Sequence, residues 1–238
     1  MKIALIGYGK MGKAIEKLAL QQGHTIVLKI NSQNAEVLQK DNLQQADVAI
    51  EFSGPASAFD NVRKCLEAGI PVVCGSTGWL QHLEEAKDIC KQNESAFIWA
   101  SNFSVGVNLF FQLNQYLARL MNAHKEYEVQ LEEIHHTEKK DAPSGTAITL
   151  AEEVVNILDH KTGWVKEKAE TSQDIAIRSL RIEDVPGTHQ VLYRSEVDSI
   201  SITHTAFSRD GFALGALLAA AFIKDKTGIF TMKDVLHL

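Results

Sequence analysis

The sequence predicts an α/β chain in two parts: a parallel-sheet domain with helices on both faces, and an α+β domain with a mixed or antiparallel sheet. Three observations carry this. Between Lys2 and Ala100, short β-branched runs alternate with helical patterns, as repeated βαβ units require. Those runs are apolar throughout rather than alternating, which is how strands buried on both faces read. From Ile175 to Thr205 the pattern turns mostly extended, broken at Val185-Pro186-Gly187-Thr188, where proline and glycine mark a turn.

The elements follow in order. Lys2 to Ile6 is a short apolar strand, and the helix from Met11 to Gln22 ends at Gly23, where a glycine cap belongs. Thr25 to Ile30 and Asp47 to Phe52 are the next strands. Ala56 to Ala68 is a helix ended by Gly69, Pro71 to Cys74 a strand, Leu80 to Gln92 a charged amphipathic helix, and Ala96 to Ala100 a fifth strand. Val105 to Asn122 then reads as one long helix, Glu128 to Ile134 as a strand and Thr146 to Leu158 as a helix. The last helix, Gly211 to Lys224, is apolar enough to return to the first domain. No internal repeat or low-complexity segment interrupts this order.

Bulk composition excludes several classes. The chain has 238 residues, 45% of them hydrophobic and 23% charged, enough for a sizeable core in one or two domains. Its net charge of -6 provides no basic field for nucleic acid or an anionic membrane. An anionic substrate must therefore be held by local cations. Cys65, Cys74 and Cys90 are odd in number and form no CxxC pair, which reads as reduced thiols in a cytoplasmic protein, not a zinc site. No targeting segment is apparent. The longest apolar run, Phe212 to Ile223, falls short of the ~18 residues of a membrane span.

Gly7-Tyr8-Gly9-Lys10-Met11-Gly12 is a GxGxxG placed after the first strand and opening the first helix, the context that gives the motif meaning. It makes the first domain a Rossmann-type parallel sheet. Gly7 permits the tight turn, Gly9 admits a pyrophosphate against the backbone, and Gly12 lets helix and strand pack closely. Asn31, at the end of the second strand, stands where an acid would select NAD by binding the ribose. The missing acid leaves NADPH, or use of both NADPH and NADH, with Lys10 and Lys29 as nearby cations. Two more segments lie at strand carboxyl ends, where open sheets bind ligands. Gly75-Ser76-Thr77 offers small residues for a nicotinamide ring, and Ala100-Ser101-Asn102-Phe103 an amide and backbone groups for its carboxamide.

The chemical signal is His135-His136-Thr137-Glu138-Lys139-Lys140-Asp141-Ala142-Pro143-Ser144-Gly145-Thr146. Adjacent histidines on a strand face opposite ways, so only one readily serves a given ligand unless the strand ends there. A histidine at a loop mouth suits general acid work, and Lys139 and Lys140 could neutralise a carboxylate. Pairing of these lysines with Glu138 and Asp141 is the plainer alternative. Pro143 to Thr146 then opens a helix. Ser144 at the cap and free backbone N–H groups at the dipole's positive end form an anion cradle. Together the segments point to reduction of a small anion. Metal binding by adjacent histidines is disfavoured, as is a serine hydrolase, for lack of a GxSxG elbow.

These residues resemble a known family, 4-hydroxy-tetrahydrodipicolinate reductase (dihydrodipicolinate reductase) of bacterial lysine and diaminopimelate biosynthesis. The resemblance rests on His135-His136-x-x-Lys139-x-Asp141-Ala142-Pro143-Ser144-Gly145-Thr146-Ala147. Gly75-x-Thr77-Gly78, Asn102 to Asn108, Gly187-Thr188-His189, Ile202-Thr203-His204 and Ser208-Arg209 reinforce it, in family order from Gly7 to about Gly215. It implies a dinucleotide-binding domain of residues 1–103 and 209–238, and a substrate-binding, oligomer-forming domain of residues 104–208 in a homotetramer. It implies hydride transfer from NADPH or NADH to a small cyclic dicarboxylate, with no metal. By resemblance His135 is the proton donor and Lys139 its catalytic partner. His136 binds substrate, and Gly145 and Thr146, with Ser144 adjoining, hold a carboxylate. Gly7 to Gly12, Gly75 to Thr77 and Ala100 to Phe103 contact the cofactor. The alternatives are another nicotinamide-dependent dehydrogenase of a dicarboxylate or amino acid, and a nucleotide-binding redox sensor without turnover.

Overall fold

The computed structural model describes residues 1–238. Its elements in chain order are β1 (Lys2–Ile6), α1 (Lys10–Gln21), β2 (Thr25–Ile30), α2 (Lys40–Leu43), β3 (Val48–Glu51), α3 (Pro55–Glu67), β4 (Val72–Cys74), α4 (Leu83–Gln92), β5 (Ala96–Trp99), α5 (Val105–Met121), β6 (Glu128–His135), α6 (Gly145–Val155), β7 (Gly163–Lys166), β8 (Asp174–Arg181), β9 (Gly187–Arg194), β10 (Ser199–Ala206), α7 (Asp210–Ile223), β11 (Gly228–Phe230) and α8 (Met232–Leu236). They form two compact units, Met1–Val105 with Arg209–Leu238, and Gly106–Ser208.

The first unit is a six-stranded sheet in the order β11-β5-β4-β3-β1-β2, parallel throughout. Its strands are uniformly apolar because both faces are covered. Successive side chains of a strand point to opposite faces. Ile3 and Leu5 therefore pack with Ile15 and Ala19 of α1 and Leu217 and Ala220 of α7. Ala4 and Ile6 pack with Val62 and Leu66 of α3 and Cys90 of α4. Gly69 takes φ +75° after α3, and the Ile70 N–H donates to the Cys65 carbonyl at 2.9 Å, closing the helix as a glycine cap does. A Cβ at Gly215 of α7 would strike the Phe103 carbonyl. That glycine lets α7 lie directly on the chain leaving β5.

The second unit is a mixed five-stranded sheet in the order β10-β9-β6-β8-β7. β9 is antiparallel to both β10 and β6, while β8 is parallel to β6 and β7. On one face Leu131, Ile177, Val191 and Tyr193 pack with Leu117 and Met121 of α5 and Leu150 and Val154 of α6. The other face carries Gln130, Gln190, Arg194, Ser201 and Thr203. No helix is long and apolar enough to cross a membrane.

The two sheets and the long helices stand where the pattern places them. The pattern did not foresee α2, β7, β11 or α8. The helix expected over 80–92 begins as a 3₁₀ turn, Leu80–His82, before α4, and α6 stops at Val155 rather than Leu158. β11 has three residues, too few to show a period. It exists only because Gly228, Ile229 and Phe230 pair in register with Ala96, Phe97 and Ile98.

Candidate active site

In the first unit the β1–α1 turn is shaped for a ligand. Gly7 has φ +91°, and a Cβ there would enter the Phe52 carbonyl. The N–H groups of Gly7 and Tyr8 both donate to the Ile30 carbonyl, at 2.9 and 3.0 Å. A Cβ at Gly12 would strike the Gly7 carbonyl, so α1 packs directly on the turn. Gly9 differs, since a Cβ there would meet nothing. Packing does not demand that glycine, whereas backbone approach by a phosphate does. No side chain caps α1, and the turn that opens it borders a cleft of about 720 Å³ lined also by Asn31, Ser53 and Asn61. The glycine turn, uncapped helix and cleft fit a dinucleotide.

Other predicted cofactor residues surround the same sheet end. Asn31 is engaged locally: its Oδ1 accepts from the Gln33 N–H at 2.8 Å, and its own N–H donates to Asn34 Oδ1 at 2.7 Å. Lys29 is not free for a ligand. Its Nζ lies 2.5 Å from Glu16 and 5.2 Å from the Tyr8 ring centre, and the Tyr8 hydroxyl also donates to Glu16. At the carboxyl end of β4, the Ser76 carbonyl accepts from the indoles of Trp79 and Trp99, each at 2.8 Å. At the end of β5, the Ala100 N–H donates to the Cys74 carbonyl at 3.2 Å. The Phe103 ring meets Phe52 edge-on at 5.8 Å. The Gly75 to Thr77 and Ala100 to Phe103 segments are thus tied side by side. Gly75 also has a packing reason, because a Cβ there would overlap the Phe52 ring.

In the second unit β6 delivers the chemistry. It ends at His135, and His136 lies beyond it. Glu133, two residues back, shares the inward face with His135 and is fully buried. Its carboxylate hydrogen-bonds His135 Nδ1 and accepts from Arg181 Nη2 at 3.0 Å. Burial pushes Glu133 up, but bonds from His135, Arg181 and Ser179 outweigh it and set its pKa at about 2. Arg181 also donates to the carbonyls of Asp141 at 2.6 Å and Lys139 at 3.2 Å, pinning the loop that follows. Lys139 Nζ pairs with Asp141 at 2.7 Å. That pairing was the plainer alternative in the sequence, and it forms. His136 Nδ1 is buried without a partner.

The helix cap completes the arrangement. Ser144 Oγ accepts from the Ala147 N–H at 3.2 Å and lies 3.0 Å from His189 Nε2. A Cβ at Gly145 would meet nothing, so the start of α6 is open to an anion beside Thr146. Burial first, then the neighbouring His135, lowers the His189 pKa to about 3. His189 is therefore neutral and can bridge Ser144 without adding charge. Its ring meets that of His135 at 5.0 Å, edge to face. Gly187 makes room for His135, since a Cβ there would come within 3.0 Å of Nε2.

The geometry gives each group a chemical capacity. The acceptor Glu133 holds the Nδ1–H of His135, so Nε2 is the nitrogen that can take up a proton and deliver it from the imidazolium. Glu133, His135 and His189 also have ligand atoms within 4.8 Å of one another, although Arg181 and Ser144 bond to that cluster. The sequence reading gave no site role to Glu133, Arg181, Gly187 or His189. Glu133 was legible as the acid at i−2 on a strand, where spacing of three or four is the wrong period. Arg181 and His189 come from register alone, pairing with His135 and Glu133 respectively.

Comparison with known proteins bears on both units. The family model "Dihydrodipicolinate reductase, N-terminus" matches residues 1–103, and "Dihydrodipicolinate reductase, C-terminus" matches residues 106–236. The chain is 52% identical to the 4-hydroxy-tetrahydrodipicolinate reductase of Christiangramia forsetii, over 99% of this chain and 98% of that one. It is 33% identical to that of Thermosipho africanus, over 99% and 98%. The fold is shared with the dipicolinate-bound dihydrodipicolinate reductase from Paenisporosarcina sp. TG-14, at TM-score 0.75 and 23% identity over 97% of each chain. With both family models matched end to end along it, this chain belongs to the dihydrodipicolinate reductase family.

Proposed function

We propose that this chain catalyses the NADPH- or NADH-dependent reduction of 4-hydroxy-tetrahydrodipicolinate, through dihydrodipicolinate, to tetrahydrodipicolinate in lysine and diaminopimelate biosynthesis. The observation that carries this is the 52% identity to a 4-hydroxy-tetrahydrodipicolinate reductase over nearly the whole of both chains. Residues 1–103 and 209–238 bind the dinucleotide, and residues 104–208 bind the dicarboxylate and form the subunit contacts of a cytoplasmic homotetramer.

The nicotinamide, when bound, supplies the hydride, and the protein supplies orientation and charge. Gly7 to Gly12, Asn31, Gly75 to Thr77 and Ala100 to Phe103 hold the dinucleotide. Ser144, Gly145, Thr146 and His136 bind the substrate, the first three at the positive end of α6. Hydride addition to C4 of the conjugated ring leaves an enamine-like anion, which takes a proton at C3. His135 delivers that proton from Nε2, with Glu133 holding the ring in place. Lys139 stabilises the developing charge, and a substrate carboxylate competes with Asp141 for its ammonium. Nothing in this scheme needs a metal.

The test is a coupled assay supplying pyruvate, aspartate semialdehyde and the preceding synthase, and following loss of reduced-nicotinamide absorbance with NADPH and NADH separately. Oxidation of at least one is expected. Oxidation of neither overturns the assignment.

A further inference from the structure

Glu51 is a buried carboxylate with no cation beside it. It ends β3 in the first unit, has no exposed surface and makes no ion pair. Stripping a carboxylate of water without a counter-charge is costly, and the α/β fold does not itself require one here. Glu51 instead gathers donors. The Ser53 N–H donates at 2.9 Å, the Ser53 hydroxyl donates as well, and the Cys74 thiol donates at 3.1 Å. Asn61 Nδ2 stands at 3.5 Å.

This carboxylate sets the direction of every hydrogen bond beyond it. A serine hydroxyl has one proton, and that of Ser53 is spent on Glu51. Toward its other neighbours Ser53 Oγ is then only an acceptor. It receives the Ser57 hydroxyl at 3.0 Å and Asn61 Nδ2 at 3.1 Å. The Asn61 amide is thereby locked, with its NH₂ turned to Ser53 and Glu51 and its Oδ1 turned away. No protein donor reaches that Oδ1. Asn61 and Ser53 line the same 720 Å³ cleft as the glycine turn and as Asn31 and Ser32 at the end of β2. The ribose belongs at the β2 end, which leaves the adenine base for the side where Asn61 stands.

We propose that Asn61 is a specificity-determining residue for the cofactor's base: its Oδ1, oriented by the Glu51–Ser53 chain, accepts a hydrogen bond from the exocyclic amine of adenine. Glu51 is a positioning residue, acting through Ser53. A base carrying a carbonyl at that position would set two acceptors face to face. This inference rests on the cofactor assignment of the first unit, and its test separates the two.

NADH and its hypoxanthine counterpart, in which a carbonyl replaces that amine and N1 gains a hydrogen, are titrated into the full-length protein, with NADPH in parallel, while nicotinamide fluorescence is followed. The native protein should prefer NADH by roughly tenfold, the scale of one hydrogen bond replaced by a mismatch. Asn61→Leu, on a helix surface that tolerates leucine, should still bind both nucleotides with the preference collapsed toward unity. Glu51→Gln, whose amide can both donate and accept, should give an intermediate preference. A general loss of stability moves both affinities together and leaves their ratio unchanged. Equal affinities in the native protein, or a full preference retained in Asn61→Leu, would overturn the proposal. So would an Asn61→Leu effect confined to the NADPH-to-NADH ratio, which would put ribose there instead. Binding of neither nucleotide by the native protein would overturn the cofactor assignment itself.

Discussion

Glu133 and His135 stand two positions apart on one face of β6, and that spacing makes them a working pair. Replacing Glu133 with Gln removes the charge that holds the Nδ1–H tautomer and supports an imidazolium. We expect kcat to fall by about 10²-fold, the lower part of what general acid catalysis supplies, with cofactor affinity unchanged. His135→Gln should lose at least as much. Steady-state rates beside fluorescence titration of the nucleotide check both, and a kcat near the native value in His135→Gln would remove it as the acid. At this scale the sequence was only partly readable. His135, Lys139 and Ser144 lie in one dense segment, where local chemistry betrays them. Arg181 and His189 lie 46 and 54 positions after His135 by their numbering, and only the pairing of β6 with β8 and β9 brings them to Glu133. No local pattern records a cross-strand partner.

Among elements, α6 has a double task, because one hydroxyl both caps the helix and faces the proposed carboxylate site. Ser144→Ala should cost about 1 kcal/mol of stability through the lost cap. It should also raise the substrate KM more than it lowers kcat. Urea unfolding and initial rates measure the two effects separately, and a change in neither would show that the Ser144 hydroxyl is idle. The long elements were legible because a buried strand or amphipathic helix must repeat its apolar residues. β7 and β11 were not. Each is short and sits at a sheet edge, where the partner strand imposes the extended form. α7 was legible as an apolar helix, and Gly215 explains how closely it packs.

For the whole molecule, buried titratable groups set an acid limit. His189 holds its pKa near 3 in the fold, against 6.5 for the free side chain. Burial likewise lowers His160 and His204. Between pH 6.5 and 3 the unfolded chain takes up protons that the folded chain refuses, so stability falls as pH falls. Glu133, at about 2 against 4.5, adds to the loss only below pH 4.5. Urea midpoints should therefore drop steadily from pH 7 to pH 4. His189→Gln should flatten the part of the curve between 6.5 and 4.5. Midpoints that stay level over that range would contradict the burial of these imidazoles.

The first unit is completed by the last residues of the chain. β11 supplies the outermost strand beside β5, and α7 covers one face of the sheet together with α1. During vectorial synthesis Gly106–Ser208, an unbroken stretch, emerges before either is made. At ~5–20 residues per second the amino-terminal strands wait on the order of ten seconds for their cover. Until then Val73 and Ile98 lack the cover of α7, and β5 is an open edge. The nascent polypeptide thus passes through a window in which the internal unit can already be folded while the nucleotide-binding unit remains adhesive. The burden on chaperones falls there, before release from the ribosome.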